Sequence, residues 1–313
     1  MRLLCLHGVG SSGSICEKQF AAFVKAADPS YEFVFVDGPV ESARGPGMEA
    51  FDQGTFYSHT ESYTPSHMAE AIENLEGVIE ELGPFDGVVG FSQGAALAVS
   101  YLYELQRRGE PSPFGFAMCF SSVLAVSPHE GCCEEAIQRL RTRGLDLTPG
   151  AAADTSALTP EERALADVIT KVLVPARAHN AMLPDFDVSV YTRAGPDLSE
   201  APRVMVPAVL DQRVHIPTVH VLGKRDADFM QGMATITRGI CDEKLMKRLE
   251  HDGGHSPPQG ATAARAAVAA MELPVAITAG GTETSAQRAA RSFGKWLSFT
   301  PLIRWHETPG FPP

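Results

Sequence analysis

The chemistry of this chain is suggested first by a serine that has a glycine two positions away on each side. The segment at 90–94 reads Gly-Phe-Ser-Gln-Gly, the GxSxG form of a nucleophile held on a sharp turn between a strand and a helix. Such a turn needs glycines because the two backbones approach each other closely. An apolar run precedes the segment and an alanine-rich run follows it, as a strand and a helix require. We therefore predict that Ser92 is a catalytic nucleophile.

A serine hydroxyl attacks only when a base removes its proton, and the base in turn needs an acid to orient it. Behind a GxSxG turn, the acid and then the histidine follow the serine along the chain. Asp226 comes just after a predicted strand, and His255 lies in a glycine-rich loop that two glycines make mobile. We predict these two as acid and base, with Asp228 and His251 as the alternatives.

Acyl transfer also needs hydrogen-bond donors for the oxyanion that forms. The first predicted strand ends in the glycine-rich turn 7–13, which can aim a backbone N–H at the same point as the N–H of Gln93. We expect the N–H groups of Val9 and Gln93 to form this oxyanion hole. His7 is expected to bond within its own loop, and its alternative role is that of a second base.

These residues must be positioned by a sheet with helices between its strands. The first half of the chain alternates short apolar runs with amphipathic segments, which is typical of parallel strands joined by helices. The clearest helix is capped by Thr64, has proline at its first position and ends at Gly83. Further helices are predicted over 13–27 and 94–108. Strands are predicted over 2–7, 31–36, 85–91, 114–120 and 218–223.

Between residues 124 and 213 this alternation stops. No strand is predicted there, whereas 133–143 and 159–173 have the pattern of helices. We predict an inserted helical lid or cap over 124–213 within a single domain spanning 1–313. The stretch 273–313 is predicted to be one more helix and an irregular, proline-rich tail.

Composition restricts the possible partners and the compartment. The chain has 313 residues, 44% hydrophobic and 20% charged, as expected for a globular protein with a sizeable core. Its net charge of −12 argues against nucleic acid or an anionic membrane surface as partner. Six cysteines without a CxxC pair indicate reduced thiols. With no long apolar run for membrane insertion, the protein is expected to be cytoplasmic.

No cofactor or metal is predicted. His251 and His255 have the spacing of a zinc pair, but the two glycines between them argue against a helix. The glycine-rich segment 279–282 lacks the lysine of a phosphate-binding loop. The adjacent Cys132 and Cys133 are expected to be small packing residues rather than a redox switch.

Five segments together resemble the FSH-type serine hydrolases of fungi. They are Leu-Cys-Leu-His-Gly-Val-Gly at 4–10, Phe-Val-Asp-Gly-Pro at 35–39, Gly-Phe-Ser-Gln-Gly at 90–94, Gly-Lys-Arg-Asp at 223–226 and His-Asp-Gly-Gly-His at 251–255. The resemblance implies an α/β-hydrolase fold, a mostly parallel, doubly wound sheet, with Ser92, Asp226 and His255 as the triad. Members of that family include esterases and stand-alone thioesterases that release polyketides from fungal synthases.

The expected reaction is hydrolysis of a hydrophobic acyl thioester or ester through an acyl-enzyme on Ser92. The expected substrate is a polyketide chain presented by an acyl carrier protein of a polyketide synthase. As an alternative, an internal hydroxyl or carbon nucleophile replaces water and closes a lactone or carbocycle. A hydrolase fold used only for binding is the third hypothesis, but its expected mark, a broken triad or oxyanion loop, is absent from the sequence. The oligomeric state is left open.

Overall fold

A six-stranded parallel sheet forms the centre of the protein. The computed structural model describes residues 1–46, 54–144, 156–179, 181, 188–192 and 198–279, with side chains to residue 272. The strands of the sheet are β1 (Arg2–Leu6), β2 (Glu32–Val36), β5 (Gly87–Phe91), β6 (Phe116–Phe120), β9 (Thr218–Gly223) and β10 (Met246–His251). Two short ribbons are β3–β4 (Val40–Ser42, Phe56–Ser58) and β7–β8 (Val126–Ser127, Arg203–Val204). The strand order of the sheet is β10-β9-β6-β5-β1-β2, and each neighbouring pair is parallel. This agrees with the predicted α/β-hydrolase class.

The central strands are continuous apolar runs because helices cover both faces of the sheet. Every residue of β5 and of β6 is buried. From β1 the chain passes to β2 on one side of the sheet and then to β5, β6, β9 and β10 on the other. The loops that follow β1 and β5 therefore diverge at the carboxyl end of the sheet, where open α/β folds bind ligands.

The helices follow the predicted pattern with one interruption. Thr64 caps α3 (Pro65–Leu82) by accepting a hydrogen bond from the His67 N–H, Pro65 is its first residue and Gly83 ends it. The predicted helix over 13–27 is instead two helices that meet at Phe20. The helices are α1 (Gly13–Gln19), α2 (Ala21–Ala26), α3 (Pro65–Leu82), α4 (Gln93–Arg108), α5 (Glu134–Arg143), α6 (Pro160–Val168), α7 (Val174–Ala178), α8 (Asp228–Arg238) and α9 (Ala261–Ala279).

The segment 124–213 contains helices α5, α6 and α7, with a π-helical turn at Ile169–Leu173. Thr159 and Glu162 form a capping box at the start of α6. The prediction that this segment holds no strand was wrong, because β7 and β8 pair within it. Two-residue strands are too short to give a periodic pattern in the sequence.

Two elements near the site were not predicted. Helix α8 directly follows the Asp226 loop, and β10 is an edge strand whose Lys247, Arg248 and Glu250 are exposed. Charged residues on an edge strand oppose pairing with other chains, and they hide the apolar pattern of a strand. His251 is therefore the last residue of a strand and not a loop residue.

At the C-terminal end, α9 continues to Ala279. The remainder of the tail predicted over 273–313 lies outside the described residues. Within the described ranges, no helix is long and apolar enough to cross a membrane.

Candidate active site

Ser92 lies on a tight turn between β5 and α4, with φ 53° and ψ −112°. A non-glycine residue in this region costs about 1–3 kcal/mol, which the surrounding structure must supply. The Ser92 N–H donates to the Phe120 carbonyl of β6 at 2.9 Å, and the Ser92 carbonyl accepts from the Ala96 N–H at 3.1 Å. A Cβ at Gly90 would lie 2.5 Å from the Ala95 backbone, and one at Gly94 2.5 Å from the Leu6 carbonyl oxygen. The glycines of the motif therefore permit the close contact that holds the turn.

The structure brings Ser92, His255 and Asp226 together, although they come from three separate loops. His255 Nε2 lies 3.0 Å from Ser92 Oγ, and His255 Nδ1 lies 2.7 Å from Asp226 Oδ2. In the neutral histidine this arrangement lets Nδ1–H donate to the carboxylate, so that Nε2 can accept the serine proton. The other Asp226 oxygen accepts from the Ala227 N–H at 2.9 Å. The geometry is that of a nucleophile, a general base and an orienting acid.

The loops that carry Asp226 and His255 are joined by backbone hydrogen bonds. The Lys224 N–H donates to the His251 carbonyl, and the Arg225 N–H donates to the Gly253 carbonyl, both at 2.9 Å. The side chain of Lys224 also forms an ion pair with Asp252. Because the acid and the base lie on loops fixed to each other, their separation does not depend on long, flexible side chains.

The alternatives to the preferred acid and base lie elsewhere. Asp228 is exposed at the first position of α8. His251 is buried, accepts a hydrogen bond from the Gly253 N–H at 3.1 Å, and has its pKa lowered chiefly by burial. Among the described residues, neither side chain hydrogen-bonds to Ser92 or His255.

The loop after β1 presents the predicted oxyanion donor Val9. His7 Nδ1–H donates to the Gly8 carbonyl at 2.6 Å, while His7 Nε2 accepts from the Gly38 N–H at 2.8 Å. The Gly8 carbonyl and the Val9 N–H belong to one peptide plane and point in opposite directions. Holding the carbonyl against His7 therefore turns the Val9 N–H away from it, and Val9 lines the same cavity as Ser92.

Both nitrogens of His7 are thus used, and burial lowers its pKa. The Nδ1 contact lies within its own loop, as expected, whereas the Nε2 contact joins it to Gly38 in the loop after β2. The second predicted donor, Gln93, is the first residue of α4 and also lines the cavity. Its N–H belongs to the first turn of a helix, where backbone donors have no partner within the helix.

Sequence reasoning missed a set of contacts that holds the Gln93 side chain. The His59 N–H donates to Gln93 Oε1 at 3.0 Å, and Gln93 Nε2 donates to Ser58 Oγ at 3.0 Å. His59 Nε2–H donates to the His7 carbonyl at 3.1 Å, and the two imidazole rings stack 4.4 Å apart. Burial holds the pKa of His59 well below its usual value. No motif marks His59, which the β3–β4 ribbon brings to the site.

A cavity of about 140 Å³ adjoins Ser92 and His255. One wall is the glycine-rich loop after β1, and the opposite wall is apolar, built from α8 and from the segment 124–213. The apolar lining residues are Val123, Leu124, Val126, Leu173, Ala181, Val204, Met230 and Met233. The reacting atoms therefore face space suited to an apolar group. Among the residues that the structure describes, no group of three or more His, Cys, Asp or Glu side chains is arranged to hold a metal ion.

A protein-family model described as "Serine hydrolase (FSH1)" matches residues 1–267. The chain belongs to this FSH1 serine hydrolase family. The predicted resemblance is confirmed, and with it the assignment as an enzyme, a serine hydrolase of the α/β-hydrolase class.

Relatives of this FSH1 family member include fungal esterases. Esterase alnB of Emericella nidulans is 38% identical over 272 residues, which cover 87% of this chain and 95% of alnB. Esterase FPY3 of Fusarium mangiferae is 28% identical and covers 83% of this chain and 89% of FPY3. Among solved structures, a Paleococcus ferrophilus monoacylglycerol lipase aligns with a TM-score of 0.45 and 18% identity, covering 88% of this chain and 94% of the lipase.

Proposed function

We propose that Ser92, His255 and Asp226 are the catalytic triad of an esterase or thioesterase acting on a hydrophobic acyl group. The observation that carries the proposal is the continuous pair of contacts, 3.0 Å from Ser92 Oγ to His255 Nε2 and 2.7 Å from His255 Nδ1 to Asp226 Oδ2. Ser62 also bonds to a histidine, His67, whose other nitrogen lies 3.6 Å from the Glu61 carboxylate. That carboxylate is 72% exposed, and none of these three residues lines the cavity beside Ser92.

In the acylation step, His255 Nε2 takes the proton of Ser92 as Oγ attacks the ester or thioester carbonyl. Asp226, with its side chain only 3% exposed, stabilises the imidazolium that results. His255 then gives its proton to the leaving alcohol or thiol, and an acyl-enzyme remains on Ser92. Water activated by the same imidazole releases the acid and restores the serine.

The oxyanion of each tetrahedral intermediate is proposed to bind the N–H groups of Val9 and Gln93. The His7 contact to the Gly8 carbonyl and the first-turn position of Gln93 support this assignment. Donors oriented before the reaction cost no reorganisation when the charge develops.

The segment 124–213 is proposed to act as a lid that provides the acyl-binding wall, since Leu173, Ala181 and Val204 from it line the cavity. We propose a polyketide chain on an acyl carrier protein as the substrate, on the basis of the family resemblance. The net charge of −12 does not attract an acidic carrier, so binding would depend on the apolar chain. All six cysteines are free thiols, which suits a reducing compartment such as the cytoplasm.

The apolar wall also supports a second candidate reaction. A cavity that excludes water favours attack by a nucleophile within the substrate. The acyl-enzyme on Ser92 would then close to a lactone or carbocycle instead of being hydrolysed. The two reactions share the triad and differ only in the acceptor.

The test is turnover of a graded series of acyl thioesters and esters, from short to long, with Ser92→Ala as control and mass analysis of products. Release of free acid that requires Ser92 and rises with chain length supports the thioesterase. Acylation of Ser92 with little free acid favours the cyclase. Undiminished turnover by Ser92→Ala contradicts both.

A further inference from the structure

The end of the β3–β4 ribbon lies against the loops that surround the proposed oxyanion hole. Tyr57 forms backbone hydrogen bonds in both directions with Ser11 of the loop after β1, at 2.6 and 3.2 Å. The next residue, Ser58, lies so close to Gly38 in the loop after β2 that a Cβ at Gly38 would be 2.3 Å from the Ser58 carbonyl oxygen. His59 follows directly and is only 5% exposed. The ribbon therefore holds a buried histidine at the carboxyl end of the sheet.

His59 is joined to Gln93 through its backbone. Because the His59 N–H can only donate, the Gln93 atom that it meets at 3.0 Å is the carbonyl oxygen Oε1. The amide nitrogen of Gln93 then donates to Ser58 Oγ at 3.0 Å, and the Ser58 hydroxyl donates to the Thr60 carbonyl at 2.7 Å. Each donor in this series has an acceptor, so the Gln93 side chain is held in one orientation.

His59 is joined to His7 through its imidazole ring. The His7 carbonyl can only accept, so His59 Nε2 carries the hydrogen in their 3.1 Å contact. The two rings also stack with their centroids 4.4 Å apart. The same His7 carbonyl accepts from the Gly94 N–H at 3.0 Å. His7 in turn holds the Gly8 carbonyl at 2.6 Å, and the plane of that peptide sets the direction of the Val9 N–H.

His59 thus contacts both the residue that orients one proposed oxyanion donor and the residue that carries the other. It is not among the described residues that line the cavity beside Ser92, so it does not touch the reacting atoms. Donors stabilise a developing charge only when they are oriented before the reaction. A misplacement of about 1 Å in such a site lowers the rate by about 10²-fold.

We propose that His59 is a positioning residue that fixes the N–H groups of Val9 and Gln93 relative to each other. It does so through the hydrogen bond from Nε2 to the His7 carbonyl and the hydrogen bond from its backbone N–H to the Gln93 side chain. The inference rests on the proposed acyl transfer and adds a residue outside the triad and the cavity to it.

Two substitutions separate the hydrogen bond of His59 from the packing of its ring. His59→Phe keeps a ring against His7 and removes the Nε2 donor, whereas His59→Gln keeps an N–H donor near the position of Nε2 and removes the ring. We expect His59→Phe to lower kcat by about 10- to 100-fold with KM little changed, because the oxyanion exists only in the transition state and the intermediates. His59→Gln should retain most of kcat. The reverse order of the two variants overturns the proposal.

Ligand binding provides a readout that a merely structural role would not move. A boronic acid forms a tetrahedral adduct with the serine and resembles the transition state, so its affinity reports on the oxyanion hole. An ether analogue of the substrate has no carbonyl oxygen and reports on the acyl cavity alone. In His59→Phe the affinity for the boronic acid should fall in parallel with kcat, while the affinity for the ether should stay unchanged. Equal losses for the two ligands overturn the positioning role.

Ile72→Val is the control for a general loss of stability. Ile72 is fully buried on α3 and does not line the cavity beside Ser92. This variant should lower the free energy of unfolding, measured with denaturant, and leave kcat unchanged. If Ile72→Val loses as much kcat as His59→Phe at a similar free energy of unfolding, the effect of His59 is one of stability and the proposal fails.

Gln93→Met tests the same contacts from the other side and keeps the proposal testable if His59→Phe does not fold. It removes the amide contacts with Ser58 and His59 and leaves the backbone N–H of residue 93 in place. We expect kcat and the affinity for the boronic acid to fall together by about tenfold. Unchanged kinetics in Gln93→Met contradict the proposed bridge between the two donors.

Failure of the proposed function and failure of this inference give different results. A wild-type chain that neither turns over acyl esters and thioesters nor is labelled by a serine-directed phosphonate contradicts the triad, and the inference falls with it. Turnover that requires Ser92 but is equal in the wild type and in His59→Phe contradicts only the positioning role of His59.

Discussion

The two sides of the active-site cavity are built in different ways. Around Ser92, positions are set by backbone hydrogen bonds and by glycines in contact with neighbouring backbone, as at Gly90 and Gly94. The opposite wall consists of apolar side chains such as Leu173 and Val204 from the segment 124–213. Backbone contacts tolerate almost no change, whereas packed side chains tolerate conservative exchange. The chemistry and the substrate preference of this enzyme should therefore respond to mutation separately.

The largest effect is expected on the catalytic side. Ser92→Ala should reduce kcat by about 10⁶-fold, because the triad acts as a unit. The fold should remain, since Ser92 is held by its backbone N–H and carbonyl rather than by its hydroxyl. Turnover, circular dichroism and labelling with a serine-directed phosphonate test this. A correctly folded variant with ordinary turnover would remove Ser92 from the mechanism.

Asp226→Asn should reduce kcat by about 10⁴-fold, because an amide favours the wrong tautomer of His255. Asp228→Asn is the matched control, since Asp228 is exposed two residues away, and it should retain activity. If the two variants exchange these results, the orienting acid is Asp228.

Substitutions in the proposed oxyanion loop, the turn 7–13 after β1, should have an intermediate effect on kcat. His7→Gln removes the donor to the Gly8 carbonyl and should lower kcat by about 10²-fold with little change in KM. His7→Asn places an amide near the position of Nδ1 and should recover part of the loss. Affinity for a boronic acid that mimics the tetrahedral intermediate should fall in parallel with kcat. His251→Gln, at another buried histidine, provides the control, and a loss confined to KM would contradict the positioning role.

Lowering the pH should destabilise the central sheet before it destabilises the segment 124–213. Burial lowers the pKa values of His7 and His59, and burial with two nearby arginines lowers that of His220 to about 3. Below about pH 6.5 the unfolded chain binds more protons at these positions than the folded chain, so stability falls as the pH falls. For His220 this loss amounts to about 1.5 kcal/mol between pH 6.5 and 5, and His7 and His59 change the stability in the same direction.

Denaturant unfolding across this pH range, with hydrogen exchange, locates the effect. The first amides to exchange should lie around β1, β4 and β9. The two histidines within 124–213, His129 and His179, are exposed and not buried. Stability that stays constant from pH 7 to 5 would contradict the burial of the neutral imidazoles.

The smallest effect on activity is expected from substitutions in the apolar wall. Leu173→Val removes one methylene from the cavity lining and should shift the chain-length preference by about tenfold. Leu165→Val is the matched control, because Leu165 is buried in the same cluster but does not line the cavity. Equal profiles for the two variants would show that this wall does not select the acyl chain.

Much of the sheet could be predicted because its signals are local. β5 and β9 are apolar runs beside glycines, and α3 has its cap, proline and terminal glycine within one stretch of sequence. The prediction missed elements that no apolar pattern marks in the sequence. The charged edge strand β10 and the two-residue strands β7 and β8 have no apolar periodicity long enough to detect.

The turn at Ser92 could be predicted from the sequence alone, since its glycines and flanking apolar runs act over a few residues. The sequence also limited the acid to Asp226 or Asp228 and the base to His255 or His251. The tertiary structure alone shows which of these side chains lie next to Ser92, because the contacts join residues far apart along the chain: 29 positions from Asp226 to His255 and 163 from Ser92 to His255. The contact of His59 with Gln93 likewise joins residues that are distant in the sequence. The apolar wall is also assembled from residues far apart along the chain. Local sequence sets backbone conformation, whereas contacts between distant residues depend on how the whole chain packs.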